Sequence, residues 1–558
     1  MSSKARVLII SLDGASFTAL DFLVKEGYMP NLKKIMQGGF VTELESVIPP
    51  STFPAWTSFM TGKNPGKHGI FYFFGYNREN RSIYLVNSTH IQAKTIWEII
   101  SEKGKKVVVI NLPMNYPPIP VNGYLVSGFD APSVKSDFTY PPSLKKEILE
   151  LIPNYGFILT RKGDTKYCRI SNKACKGFTR GIVEGFKQRT KLALYLMNKL
   201  DWDVFMVQYQ NVDHLQHYLW GYVDPAFSDT FSSRSHRKCQ SMVWECYQEL
   251  DQCIGALIEE VPEVYKFIIS DHGFGPLKEK IPINYFLARA GFLKVVSIPS
   301  SDHQKESKSK LVLKRVKGIC SHIPLLLEFR RKLYVHRRLK QLNQELVCLL
   351  ENVDRVTVPD IIIDWEKTTA CAIGGGPNPF IYVNSPKGSR KYNEIRNSII
   401  TFFRELKHPL TSQPLFQCIL KGEEIYKGWA DLPDVVLIPE EGFGCDFKDV
   451  EKGEITLASG TWPLAGNHRK NGILIAQGED VVIDREKIGA KLIDLAPTIL
   501  TLLDLPVPDD MDGSVLQIFR SPLNPEFEKA RPFKRSSIAR SEKDEREVRE
   551  RLKHLGYI

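Results

Sequence analysis

Asp271 and His272 follow an apolar run in KFIISDHGFG, residues 266–275, and the chain repeats this ending twice more. VLIISLD, residues 7–13, ends on Asp13, and VFMVQYQNVDHLQH delivers Asp213 and His217 just past its apolar part. His468, in AGNHRKNGILIA, stands just before another apolar run. A lone Asp or His at a strand end is commonly a cap or a hydrogen-bonded core group. Several meeting at one sheet edge make a different case, because carboxylates buried together repel and a cation relieves the repulsion. Three Asp and three His with no thiolate suit Zn²⁺ or a comparable divalent ion such as Mn²⁺. Six ligands exceed what one tetrahedral zinc uses, so two ions are implied. Asp213 and His217, four residues apart, share a face if a helix starts there. The adjacent Asp271 and His272 splay toward neighbouring ions only from a strand end or turn. Two ions side by side are a means of clamping the attacking and leaving oxygens of a phosphoryl displacement.

A nucleophile for such a displacement is available in VIPPSTFPAWTSFMTGKNPGKHGI, residues 47–70. Ser51 and Thr52 lie between Pro49-Pro50 and Pro54, and Pro54 suits a helix start. Either hydroxyl serves simply as the N-cap of a helix over 54–61. The same position also suits a nucleophile, since a hydroxyl there feels the positive end of the helix dipole and a metal would lower its pKa.

These groups need a frame that converges them. Strand-like runs occur at 7–13, 107–110, 204–209, 267–270, 380–383, 435–438 and 472–476. Helical patterns alternate with them at 18–27, 54–61, 93–103, 180–200, 237–260, 391–406 and 490–503. Continuous apolar strands separated by helices predict an α/β fold, a mainly parallel doubly wound sheet with helices on both faces. In such sheets ligands bind beyond the carboxyl ends of the strands, which is where Asp13, Asp213, His217, Asp271 and His272 fall. Residues 286–360 break the rhythm and read as a basic helical insertion or cap. The discontinuous catalytic domain is then 1–285 with 361–516, and 517–558 reads as a tail ending in a helix.

At 558 residues, 43% hydrophobic and 25% charged, the chain has material for a large core, which excludes wholesale disorder. MSSKAR and the short VLII do not form a signal peptide, and no apolar run approaches the roughly 18 residues of a spanning helix. Ten cysteines without a CxxC pair read as reduced thiols, so a cytoplasmic location is expected. The net charge of +11 is uneven: twelve Lys or Arg face two acids between Lys305 and Lys340. That stretch reads as solvated helix surface, or alternatively as a face for anionic membrane or a phosphorylated polymer. Specific nucleic-acid binding is not expected.

Taken together, ISLDGAS, STFPAWTSFMTGKNPGKHGI, VDHLQH, SDHGFG, GNHRKNGILI and LIDLAPTILTLLDLPVPDDMDGSVL resemble the alkaline phosphatase superfamily, in its branch of type I phosphodiesterases and nucleotide pyrophosphatases. The pieces occur in that family's order from residue 7 to about 516, and a closing LGYI is common among its members. The resemblance implies that Thr52 is the nucleophile, with Asp13, Thr52, Asp271 and His272 holding one metal and Asp213, His217 and His468 the other. It implies attack of Thr52 on phosphorus, a phospho-threonine intermediate and its hydrolysis by in-line attack of water, on a phosphorylated small-molecule substrate. His214 is not a ligand in this pattern and reads as a supporting group.

One departure stands out. Nucleotide-cleaving relatives carry a phosphate-binding asparagine after HGI, where HGIFYFFGYN has Phe73; the nearest asparagine is Asn77. The aromatics Phe71, Tyr72, Phe73, Phe74 and Tyr76 are read as core packing, or as a surface that stacks on a base or apolar headgroup. Ser51-Thr52-Phe53-Pro54-Ala55 lacks the sulfatase spacing, and the serine with an arginine of the phosphomonoesterases is not evident. The alternatives are a phosphomonoesterase or phospho-group transferase acting on a lipid, sugar or polymer, and a non-catalytic, metal-stabilised phosphate-binding protein.

Overall fold

The computed structural model describes residues 5–296 and 362–557, apart from positions 170, 231–232, 375, 448–455, 458–464, 537 and 539. The basic stretch 305–340, and with it nearly all of the expected insertion, lies outside the described residues. The chain divides into two compact units, Met1–Phe286 with Thr369–Ile558, and Leu287–Thr368. In the smaller unit, Val295–Val296 pairs antiparallel with Ile362–Ile363.

The larger unit is built on a nine-stranded sheet. Its key strands are β1 (Val7–Leu12), β2 (Phe40–Glu45), β3 (Val204–Tyr209), β4 (Tyr265–Ile269) and β5 (Asn471–Gln477). From one edge the order is Asp484–Arg485, β2, β5, β4, β1, β3, Val107–Leu112, Gly123–Ser127 and Thr139–Tyr140. All strands run the same way except β5 and Thr139–Tyr140. β1, β3 and Val107–Leu112 are buried along their whole length. Burial of both alternating faces requires cover on both sides, which is why these strands read as unbroken apolar runs. The fold is α/β with a large, mostly parallel central sheet.

The runs at 380–383 and 435–438 are strands too, but of a separate four-stranded sheet formed by Ala370–Ile373, Phe380–Val383, Phe416–Lys421 and Val435–Pro439. There every pairing is antiparallel. Short buried strands carry no mark of the sheet they join.

Helices occupy all the expected positions, with one boundary well off. The helix expected over 180–200 spans Asn172–Lys199, capped by Ser171, whose side chain accepts from the Ala174 N–H. Gly177, Gly181 and Gly185 weaken the helical pattern there. Two of them are needed for close approach: a Cβ on Gly181 would lie 2.9 Å from the Leu159 carbonyl oxygen, and one on Gly185 2.4 Å from Asn211 Nδ2. Residues 517–558 are not set apart as a tail; they belong to the larger unit. Phe527–Glu528 pairs with Val507–Pro508, and the helix Glu542–Leu555 starts at Ser541. Among the described residues no helix is long and apolar enough to cross a membrane.

A carboxylate holds the helix that leads into β2. Asp251, on Arg234–Glu260, accepts from the backbone N–H of Asn31 (3.0 Å) and Leu32 (2.8 Å) and from Asn31 Nδ2 (2.9 Å), at the start of Pro30–Gln37. Asp251→Ala takes the carboxylate from the buried Leu32 N–H and the half-buried Asn31 N–H and should cost about 1–3 kcal/mol, measured by denaturant unfolding at neutral pH. An unchanged midpoint would mean that water replaces the carboxylate at no cost.

Candidate active site

Three adjacent parallel strands bring the site together. Leu12 of β1 pairs with Tyr209 of β3, and Ser11 with Ile269 of β4, so all three end at one edge. Asp13 directly follows β1, and Asp271 and His272 follow β4. Past β3 the chain enters a helix, Asn211–Leu219, which places Asp213 and His217 one turn apart. β5 runs antiparallel to β4, so its beginning lies at the same edge. His468 arrives there on Gly466–Arg469, which pairs with Gly273–Pro276. β2 ends at this edge as well and feeds α1 (Thr52–Thr61), whose first residue is Thr52. Between β1 and these groups the chain turns through Gly14 at φ +67°, where a Cβ would sit 2.9 Å from the Phe274 ring and 3.2 Å from Asp213 Oδ1.

The six ligand candidates form two groups, Asp13 with Asp271 and His272, and Asp213 with His217 and His468. In the first, His272 Nε2 lies 3.7 Å from Asp13 Oδ1 and 3.4 Å from Asp271 Oδ2. In the second, Asp213 Oδ1 lies 3.4 Å from His217 Nε2 and 3.2 Å from His468 Nε2. The His272 and His468 rings stack at 3.7 Å and join the groups. Asp13, Asp213, Asp271 and His272 are fully buried.

Each carboxylate has one oxygen held by the protein and the other left open. Asp13 Oδ2 accepts from Gln208 Nε2 (2.6 Å) and Trp56 Nε1 (3.0 Å). Asp271 Oδ1 accepts from the Gly14 N–H at 3.2 Å, and Asp213 Oδ2 from the Tyr557 hydroxyl at 2.7 Å. Asp13 Oδ1, Asp271 Oδ2, Asp213 Oδ1 and His272 Nε2 have no hydrogen-bond partner among the described residues. The histidines add a stronger sign. His468 Nδ1 is 3.0 Å from the Pro50 carbonyl, His272 Nδ1 is 3.1 Å from the Gly273 carbonyl, and His217 is hydrogen-bonded to the Gly466 backbone. A carbonyl only accepts, so the proton of each neutral ring sits on that side and Nε2 is a bare lone pair. His217 Nε2 and His468 Nε2 nevertheless stand 3.0 Å apart. Two lone pairs held that close, beside an open carboxylate oxygen, fit a shared cation, and N/O donor sets of this kind suit Zn²⁺ or Mn²⁺.

The electrostatics agree. Burial first, then the neighbouring Asp213 charge, pushes the Asp13 carboxyl well up, and burial with the Asp13 charge does the same to Asp271. Burial raises Asp213 from 3.8 to about 8. Burial, with His468 next to them, drives His217 and His272 well down, and burial takes His468 to about 3. Burial and mutual repulsion thus disfavour the anionic form of all three carboxylates, and added positive charge would favour it.

Ser51 is the N-cap of α1 but makes no side-chain capping bond, and Thr52 is fully buried. The Thr52 hydroxyl lies 3.4 Å from the Tyr557 hydroxyl, which in turn contacts Asp213. His214 belongs to neither group; its buried ring packs on Phe178, Tyr218 and His554. Phe71, Tyr72, Phe73 and Phe74 are core: Phe73 packs on Phe53 and Tyr557, and Phe71 on Phe380 and Tyr426. Asn77 is committed to a hairpin turn, accepting from the N–H of Glu79 and Asn80. Gln208, Trp56, Gln210 and Tyr557 were not singled out from sequence. Gln208 sits within the apolar run of β3, and only strand register aims it at Asp13; Tyr557 falls within the closing LGYI noted from sequence, but nothing in that motif points to its contact with Asp213.

The chain belongs to the type I phosphodiesterase / nucleotide pyrophosphatase family, whose sequence model matches residues 7–461. It is accordingly an enzyme that hydrolyses phosphoester bonds. It is similar in structure to phosphonoacetate hydrolase from Sinorhizobium meliloti, solved in complex with phosphonoformate, with a TM-score of 0.52 and 15% identity over 90% of this chain and 96% of that one. It is also similar to an inactive variant of murine ectonucleotide pyrophosphatase/phosphodiesterase 5 in complex with AMP, with a TM-score of 0.50 and 15% identity over 90% and 96%. At such identity these likenesses establish the fold. His468 and Tyr557 lie beyond the span matched by the family model.

Two outcomes are expected of the site. After chelation the protein should lose stability as pH rises from about 6.5 to about 8, where folded Asp213 still holds a proton that the unfolded carboxyl has released; below about 6.5 the lowered histidines, which take up protons on unfolding, oppose that slope. Divalent ion should reverse that slope, adding about 2.7 kcal/mol per site at a hundredfold excess over Kd; melting curves across pH, with and without Zn²⁺ or Mn²⁺, measure both. Separately, His468→Ala should remove one ion from the bound stoichiometry and leave the other. An unaltered stoichiometry would take His468 out of the ligand set.

Proposed function

We propose that this phosphodiesterase-family enzyme hydrolyses phosphodiester or pyrophosphate bonds with Thr52 as nucleophile, at a centre that binds two divalent cations. Zn²⁺ is the preferred identity and Mn²⁺ the alternative. The observation that carries the reading is the pair of three-residue groups with inward-facing, unpartnered lone pairs beside the first residue of α1. Asp13, Asp271 and His272 would hold one cation, with Thr52 completing its shell, and Asp213, His217 and His468 the other. Bound there, the cations supply Lewis acidity and positive charge for phosphoryl transfer.

The chain's own groups account for the remainder. Thr52 Oγ forms a bond to phosphorus as the P–O bond to the leaving alcohol or phosphate breaks, and the leaving oxygen takes up a proton. Water then attacks the same phosphorus, the bond to Oγ breaks, and Thr52 regains its proton. The start of α1 favours the anionic group being transferred. Asp13 stays oriented because Gln208 and Trp56 occupy its second oxygen, and Ser11 Oγ donates to Gln208 Oε1 and fixes that amide.

Charge favours the diester. A phosphomonoester arrives close to a dianion, whereas a diester carries a single charge. Among the described residues no Lys or Arg side chain is hydrogen-bonded or ion-paired to the Thr52 hydroxyl or to the six ligand side chains. Buried Phe73 adds an apolar wall. Bis-p-nitrophenyl phosphate should therefore be turned over at least about tenfold faster than the monoester, roughly 1.4 kcal/mol in barrier; the opposite preference would favour a phosphomonoesterase. Thr52→Ala should lower kcat by about 10³-fold or more and abolish acid-quenched phospho-threonine. Activity surviving that change would move the nucleophile elsewhere, Ser51 first.

A further inference from the structure

Tyr557 reaches the site from far outside the sheet, 344 residues from its partner Asp213. It follows a helix, α2 (Glu542–Leu555), that is anchored along its length. Arg551 donates to the carbonyls of Phe129, Ala131 and Pro132, Arg549 lies over the Phe74 ring, and the Tyr218 hydroxyl donates to the His554 carbonyl at 3.1 Å. Gly556, at φ +93°, ends the helix and turns the chain inward. Tyr557 is then only 7% exposed, its ring stacked on Phe73 at 4.9 Å, and the Tyr72 hydroxyl donates to its carbonyl at 3.0 Å.

The direction of the phenol proton follows from its partners. Asp213 Oδ2, 2.7 Å away, is a carboxylate oxygen without a proton of its own once a cation is bound, so the phenol donates its single proton there. Gln210, 2.6 Å away, must therefore present its Nε2–H₂ to the phenol oxygen. The Thr52 hydroxyl approaches the same oxygen at 3.4 Å. With Oδ2 engaged, Asp213 turns Oδ1 toward His217 and His468. Gln208 and Trp56 do the same for Asp13, and the Gly14 N–H for Asp271, so Tyr557 is the third member of one device.

Resting on the two-cation reading above, we propose that Tyr557 is a positioning residue. Its hydroxyl fixes the rotamer of Asp213 for the cation held with His217 and His468, and its place beside Thr52 Oγ couples that cation site to the nucleophile. Interactions of this kind behind a metal ligand are worth about 10- to 100-fold in metal affinity or activity.

The test uses the full chain after chelation, titrated with Mn²⁺ or Zn²⁺ in equilibrium dialysis. Wild type should bind two ions. Tyr557→Phe keeps the ring stack and the melting temperature, and should weaken one site by about 10- to 100-fold while sparing the other. Its kcat on bis-p-nitrophenyl phosphate should fall by a similar factor at saturating substrate, with little change in KM. Gln210→Leu, which frees the phenol to rotate, should act in the same direction with a smaller effect. Unchanged affinity at both sites would overturn the proposal, as would equal weakening of both with a lowered melting temperature, the mark of a purely structural role. Wild type binding no divalent ion would sink the two-cation reading itself and this inference with it.

Discussion

Three carboxylates buried at one sheet edge set the terms for the whole molecule. Asp13, Asp213 and Asp271 are fully buried, and Asp213 raises the pKa of both others. Burial of even one unpaired carboxylate is unfavourable, and the usual remedy is a lysine or arginine partner. The neighbours here are instead histidines held neutral, each spending its one ring proton on a backbone carbonyl. The polypeptide does not neutralise this pocket; it arranges lone pairs for something that will. Rigidity comes from the sheet, where strands about 4.8 Å apart hold neighbouring ligands at fixed separations.

The same logic explains how the carboxylates are divided. A carboxylate with both oxygens free rotates and loses binding entropy when fixed; one with both oxygens engaged has nothing left to offer. Each of these three has one of each. Among the supporting donors that come from elsewhere in the described chain, one is a backbone N–H, that of Gly14, and it comes from a turn whose positive φ and close neighbours admit no side chain without strain. The others are side chains from α1, β3 and the segment after α2. The candidate ligands thus gather at the sheet edge, while their supports come from β3 within the sheet, from α1 and from the segment after α2.

That division decides what the sequence could disclose. Asp13, Asp271 and His272 were legible because a strand buried on both faces is an unbroken apolar run, and a charged residue closing it is conspicuous. Asp213 and His217 were legible through helical spacing after such a run. His468 could be recognised before its strand but not understood there, since its position depends on β5 running antiparallel. The strands at 380–383 and 435–439 were found and their sheet was not, because four or five apolar residues carry no orientation. The early start of the 172–199 helix was hidden by glycines that serve packing. The closing LGYI was noticed, but the role of its Tyr557 was illegible for a plainer reason: it follows a polar amphipathic helix, and its contact with Asp213 depends entirely on how that helix docks.

Phe73 takes on meaning in this light. Read along the chain, it is a hydrophobic residue where the family resemblance leads one to expect an amide, and so looks like a loss of phosphate-binding capacity. In three dimensions its ring is the surface on which Tyr557 stacks, with Phe53 and Phe129 completing the wall. Phe73 cannot hydrogen-bond an oxygen, but it holds in place a phenol that reaches both the Thr52 hydroxyl and the Asp213 carboxylate. An aromatic stack tolerates little sliding before its contacts are lost, so the position of the phenol oxygen depends on Phe73 as much as on the helix before it. A polar residue at 73 would remove that support without creating an amide donor in working geometry, because Tyr557 already fills the space.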